Sequence, residues 1–154
     1  MKTLTTKRFF RVFFLFLAMI STLLLTACGG GGSDNPGIDQ SELVGTWFLN
    51  TEDELPVKGD MIPTMEFASN LTCSVVDYED MTTEGHESYW ECKGEQYIVK
   101  GTWDIRDGLV KITAEGDTVP LEFNHETLIL RTESEINGVP YTSISVYKKT
   151  KYVD

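Results

Sequence analysis

The chain has 154 residues and carries 13 Lys+Arg against 24 Asp+Glu, a formal charge of −11. That length suits one domain, and 41% hydrophobic residues supply ample apolar surface for its core. The acidic balance excludes a nucleic-acid binder, which needs clustered Lys and Arg to displace counterions from phosphates. Three cysteines and two histidines leave little material for a metal or redox centre, and neither metal nor cofactor is expected.

Lys2, Lys7, Arg8 and Arg11 open the chain, and a sixteen-residue apolar stretch from Val12 to Ala27 follows. A spanning helix needs about 20 residues, whereas basic, apolar and small-residue regions in this order form an export signal. Its end, Leu25-Thr26-Ala27-Cys28, resembles the bacterial lipobox. That resemblance implies cleavage before Cys28, diacylation of its sulfur and acylation, with palmitate or a similar chain, of the new amino terminus. Several acyl chains anchor stably where one is marginal. Residues 29–37 are Gly, Ser, Asp, Asn and Pro, a run that buries nothing and acts as a flexible tether. The chain thus divides into a lipoprotein signal peptide at 1–27, a lipidated Gly-rich tether at 28–40 and a folded domain at 41–154. Enterobacterial lipoproteins use Asp after the acylated cysteine for inner-membrane retention. Gly29 holds that place here and points to the outer membrane.

Loss of 27 residues with four basic and no acidic side chains leaves 127 residues at a formal charge of −15. The remaining twelve aromatics all fall within 47–152. With Cys28 lipidated, Cys73 and Cys92 remain, and two cysteines in an exported domain are most simply read as a disulfide. A staple closing that loop is worth roughly 3 kcal/mol.

The body alternates at period two with turn residues at short intervals, which predicts antiparallel strands and no helix. Leu43–Leu49 is the first strand. Thr64–Ala68 and Leu71–Tyr78 flank a two-residue turn at Ser69-Asn70. Ser88–Cys92 and Gln96–Ile105 flank Lys93-Gly94-Glu95, with Tyr97, Val99, Trp103 and Ile105 on one face. Turns at Asp107-Gly108, Glu115-Gly116-Asp117, Asn124–Glu126 and Asn137-Gly138 then separate Leu109–Ala114, Thr118–Phe123, Thr127–Thr132 and Pro140–Lys148. Sequential hairpins with short turns predict an all-β fold, a small up-and-down antiparallel β-barrel of about eight to nine strands.

The segment Glu42-Leu-Val-Gly-Thr-Trp-Phe-Leu49 resembles the Gly-x-Trp opening of lipocalins and related calycins. Tyr97–Ile105, the turn at Asp107-Gly108 and Leu109–Thr113 are similar to bacterial lipocalin-like lipoproteins. The resemblance implies that Trp47 closes one end of the barrel and that Gly45 lets a neighbouring strand approach. It also implies a cationic side chain of the last strand over that Trp, where family members often have Arg. This chain offers Lys148 and Lys149 there, with Arg131 one strand earlier. The function implied is a membrane-tethered binding module for a small apolar or amphipathic ligand. The other reading is an accessory or structural lipoprotein with a filled barrel that docks a partner protein of the envelope.

Trp47, Phe67, Tyr97, Trp103, Phe123, Tyr141 and Tyr147 could line a ligand pocket, although core packing is the plainer role for them. Asp77, Glu79, Asp80, Glu84, His86 and Glu87 are rich in oxygen ligands but lack the spacing of a calcium loop, which favours a solvated hairpin. His86 and His125 sit beside glutamates in turn-like segments and read as surface residues. With no nucleophile elbow, zinc motif or phosphate loop, no catalytic residue is assigned and the protein is not expected to be an enzyme.

Overall fold

The computed structural model describes residues 37–153. The signal peptide, Cys28 and nearly all of the tether lie outside the described residues. The described chain begins with Ile38 packed against the core and one short helix, α1 (Gln40–Leu43), which is too short to show in the sequence pattern. Asp39 caps it, its carboxylate accepting from the Ser41 amide at 2.8 Å.

Nine strands follow: β1 (Gly45–Glu52), β2 (Leu55–Lys58), β3 (Thr64–Phe67), β4 (Thr72–Thr82), β5 (Trp90–Arg106), β6 (Leu109–Ala114), β7 (Asp117–Phe123), β8 (Leu128–Ile136) and β9 (Val139–Lys148). Around the ring the order is β1-β3-β4-β5-β6-β7-β8-β9, and β9 pairs back with β1. Every pair in this ring is antiparallel, so eight strands close an up-and-down barrel, as the sequence predicts. The ninth, β2, continues the line of β3 along β1 and pairs in parallel with the start of β5.

Turn chemistry sets this connectivity. Both central residues have positive φ at Asp53-Glu54, Asp107-Gly108, Glu115-Gly116 and Asn137-Gly138, the type I′ geometry that suits twisted hairpins. Three of the four are legible in the sequence, but Asp53-Glu54 carries no glycine to mark it. The predicted two-residue turn at Ser69-Asn70 is one residue longer, because Leu71 also leaves the ladder with φ 65°. Asn70 Oδ1 secures that turn by accepting from the Thr72 amide and hydroxyl. The predicted turn at Lys93-Gly94-Glu95 is instead an irregularity within a single 17-residue strand, β5, opposite a register shift between Tyr78 and Asp80 on β4.

Register assigns the inward faces. Trp47, Leu49, Met65, Phe67, Cys73, Val75, Trp103, Val110, Ile112, Leu121, Leu128 and Leu130 face one interior, and nearly all are buried. Trp47 meets Phe123 edge to face at 5.9 Å, and Phe67 meets Trp103 likewise at 5.4 Å. These rings fill the base, the end where β1 begins and β9 finishes. There the Trp47 indole N–H donates to the Leu43 carbonyl at 2.8 Å, tying α1 across the opening. The cation over Trp47 is Lys149, whose Nζ lies 5.3 Å from the ring centroid and donates to the Val44 carbonyl at 3.1 Å. Arg131 is engaged elsewhere, with Glu122 at 2.9 Å.

Two glycines have distinct reasons. Gly45 adopts φ 122° and has open space where a Cβ would stand, so backbone conformation explains it, not close approach of a strand as the resemblance implied. At Gly101 a Cβ would overlap the Thr113 carbonyl oxygen and touch the Ala114 methyl, so there the crossing of β6 against β5 does require glycine.

Candidate binding site

The other half of the interior, toward the mouth, is built differently. Strand β1 carries an irregularity between Leu49 and Thr51 in its pairing with β9. Simple alternation from Trp47 would send Glu52 outward, but the extra residue, Asn50, reverses the parity and turns Glu52 in, opposite Ser145. Asn50 is held there by its amide, which donates to the Phe48 and Thr150 carbonyls at 3.0 and 2.8 Å. Glu52 is only 2% exposed.

Around it stand further polar groups. Along β9 the parity that sends Tyr147 inward also sends Ser145 and Ser143 inward, while Thr132 faces in from β8 opposite Ser143. The Ser143 hydroxyl donates to Glu52 Oε1. Glu52 Oε2, Ser145 Oγ and Thr132 Oγ1 are buried with no hydrogen-bond partner. Asp77 faces in from β4, opposite Tyr97 on β5, and accepts from the Tyr78 amide at 2.8 Å. Behind Glu52, the Trp90 indole donates to its carbonyl at 2.9 Å, because the tip of the β4–β5 hairpin reaches across to β2.

Burial is the main force on these acids. Desolvation lifts the Glu52 carboxyl to about 7, opposed by the Ser143 and Ser145 hydroxyls and reinforced by the charges of Asp53 and Asp77. Ser145 thus favours the ionised carboxylate by proximity, although it lies outside hydrogen-bonding geometry. Asp77 rises to about 6, again through burial, with the Tyr78 amide opposing. The buried Tyr147 phenol is pushed well above its ordinary range by desolvation and then by the charges of Asp77 and Glu52.

The mouth itself is marked by exposure on inward faces. Tyr97 and Tyr141 face the interior by register, yet are 42% and 38% exposed. The β5–β6 ladder stops at Thr102 and Thr113, and β7 pairs with β8 only at Glu122–Ile129 and Phe123–Leu128. Above those pairs β7 and β8 separate, so the wall opens toward Tyr97 and Tyr141. The Tyr141 hydroxyl donates to Asp53 Oδ2, and Asp53 Oδ1 accepts from the Ile144 amide at 2.9 Å, which fixes the β1–β2 turn against β9.

Of the seven aromatic residues expected to line a pocket or a core, Trp47, Phe67, Trp103 and Tyr147 are buried, and Phe123 is half-buried against them. Tyr97 and Tyr141 are corrections to any core role, since they rim the opening. The disulfide expectation is overturned: Cys73 and Cys92 are both free and buried. Cys73 pairs with Gly101 and Cys92 with Met81, eight positions farther along β4. At about 3.3 Å per residue they lie on the order of 25 Å apart along the strand, against the 4–7 Å a disulfide spans. Burial, then the charges of Asp77 and Glu52, push the Cys92 thiol up to about 12, so it is a poor nucleophile.

The acidic stretch is not uniformly solvated either, because Asp77 is inside the barrel and one carboxylate oxygen of Asp80 is buried. His86 is no ordinary surface residue: it stacks on Tyr89 at 3.6 Å at the hairpin tip. His125 is exposed at the opposite end, 2.7 Å from Glu42. Among the described residues no group of three or more His, Cys, Asp or Glu is placed to hold a metal ion.

Among solved structures, the chain is similar to a lipocalin-like protein from Bacteroides uniformis. The two are 16% identical, with a TM-score of 0.41, over 71% of this chain and 99% of the other. No protein-family model and no curated protein matches the sequence.

Proposed function

We propose that this chain is a lipid-anchored protein of the bacterial envelope whose barrel binds one small amphipathic molecule through its mouth. The observation that carries the binding reading is the mouth: two inward-facing tyrosines are over a third exposed, above buried polar atoms that lack partners. A barrel filled from end to end would cover those rings and pair those atoms. The apolar base supplies rigidity, and the tether of residues 29–37 lets the cup stand off the membrane. Lipidation at Cys28 is supported by the order of basic region, apolar run and lipobox, and an outer-membrane address by Gly29 in the place of a retention Asp.

Trp90, hydrogen-bonded to the Glu52 carbonyl, reports on the interior. Titration with apolar and amphipathic small molecules should give a saturable change in tryptophan emission, and a protein that ignores the whole panel contradicts the binding role. For the anchor, labelled palmitate should enter the wild type and be absent from Cys28→Ser, with the wild type in the outer-membrane fraction. A wild-type chain that takes up no label contradicts it.

A further inference from the structure

Three buried side-chain oxygens in the mouth-side interior have no hydrogen-bond partner. Glu52 Oε2, Ser145 Oγ and Thr132 Oγ1 come from three adjacent strands, β1, β9 and β8, at neighbouring levels of the ladder. Glu52 is 2% and Ser145 1% exposed, so bulk water does not satisfy them. An ionised carboxylate only accepts hydrogen bonds, and a hydroxyl can accept as well as donate, so one group with several N–H donors can satisfy all three. Asp77 adds a second inward carboxylate close enough for its charge to act on Glu52. Among the described residues, the inward positions assigned by register hold no Lys, Arg or His, so the strand faces supply no counter-charge. A buried, half-partnered carboxylate is costly to retain without a ligand.

The shape of the interior sets the orientation. The base is occupied by Trp47, Phe67, Trp103 and the aliphatic residues around them, so no apolar tail can enter there. The polar groups therefore form a floor that is closed to solvent in the free protein, beneath a rim made by the exposed rings of Tyr97 and Tyr141. A ligand that fits binds head down, with its donor group on the floor and its apolar part against the tyrosines.

We propose that this floor binds the ammonium head of an amphipathic amine, with Glu52 and Asp77 as counter-ions and Ser145 and Thr132 as further acceptors. An ammonium offers three N–H donors and one positive charge, which matches acceptors that are several and acidic. The neighbouring Tyr97 and Tyr141 faces suit the carbon chain and, at the rim, the cation in transit. The assignment rests on the binding reading above and names the ligand class for the same cavity.

The test compares three probes with the same tail, decylamine, decanol and decanoate, below their micelle concentrations at pH 8. Each is titrated into the lipidated protein, and binding is read by tryptophan emission and by calorimetry. The amine should bind on the order of tenfold or more tightly than the alcohol, and the carboxylate least, as loss of a charge-assisted bond predicts. Glu52→Gln should abolish the preference for the amine while retaining the wild-type far-UV circular dichroism, and Thr132→Val should weaken it partially. Equal binding of all three probes overturns the amine assignment and leaves the binding role standing. Binding of none overturns the binding role and the assignment with it. A preference for the amine that survives Glu52→Gln removes the head group from this floor.

Discussion

The two halves of the barrel interior obey opposite rules. At the base, inward positions hold Trp47, Phe67, Trp103, Leu121 and Leu128, and the indole N–H groups of both tryptophans donate to backbone carbonyls. At the mouth, inward positions hold Glu52, Asp77, Thr132, Ser143 and Ser145, and three of their oxygens have no partner. One half is packed for stability and the other gives some of it up. Such a division is what a binding protein needs, since polar groups left unpaired in the free fold become affinity in the complex.

Removing the keystone of the base breaks the comparison most severely. Trp47→Ala should cost about 3–5 kcal/mol, the usual result of emptying a fully buried aromatic site, measured by urea denaturation. A loss below about 1 kcal/mol would mean that the base is not the stabilising half.

The next effect runs in the opposite direction. A carboxyl raised by folding from its ordinary value to about 7 stabilises fully below its unfolded pKa, and that stability is lost as pH rises toward 7. The folded domain should therefore be more stable at pH 4.5 than at pH 8, by up to about 3 kcal/mol from Glu52. Glu52→Gln should recover most of that difference at pH 8 and change little at pH 4.5. Asp77, raised to about 6, adds a smaller slope of the same sign over a lower window.

Lys149→Met removes the cation from the closed end. The cation–π contact and the bond to the Val44 carbonyl together should be worth about 1 kcal/mol or less at an exposed site. The smallest effect expected is none. Cys73 lies in the apolar half and Cys92 in the polar half, so reductant should leave the denaturation midpoint unchanged, and alkylation of the unfolded, unreduced protein should label both residues. A disulfide would show itself as roughly 3 kcal/mol lost on reduction.

The apolar half was legible in the sequence because local rules suffice there. Period-two alternation placed Tyr97, Val99, Trp103 and Ile105 on one face, and glycine-containing turns marked three hairpins. The resemblance at Gly45-Thr-Trp47 pointed to the closed end and to a cation over the indole, supplied here by Lys149. The polar half was not legible, since each of its features depends on a departure from period two or on register between distant strands. Nothing near Asn50 announces the extra residue that turns Glu52 inward. Asp77 reads as one more acid in a charged stretch until its pairing with Tyr97 places it inside. The serines of β9 were within reach, because Tyr141 and Tyr147 already fixed their parity. Cysteine count suggested a staple, but only the register of β4 with β5 shows the two thiols far apart.

Glu52 sits inside the barrel as a buried, under-partnered carboxyl. Its titration is the direct test, followed through the side-chain carboxyl carbon by nuclear magnetic resonance on glutamate-labelled protein and assigned with Glu52→Gln. A midpoint near 7 is expected. A midpoint near 4.5, the value of a solvated carboxyl, would contradict it.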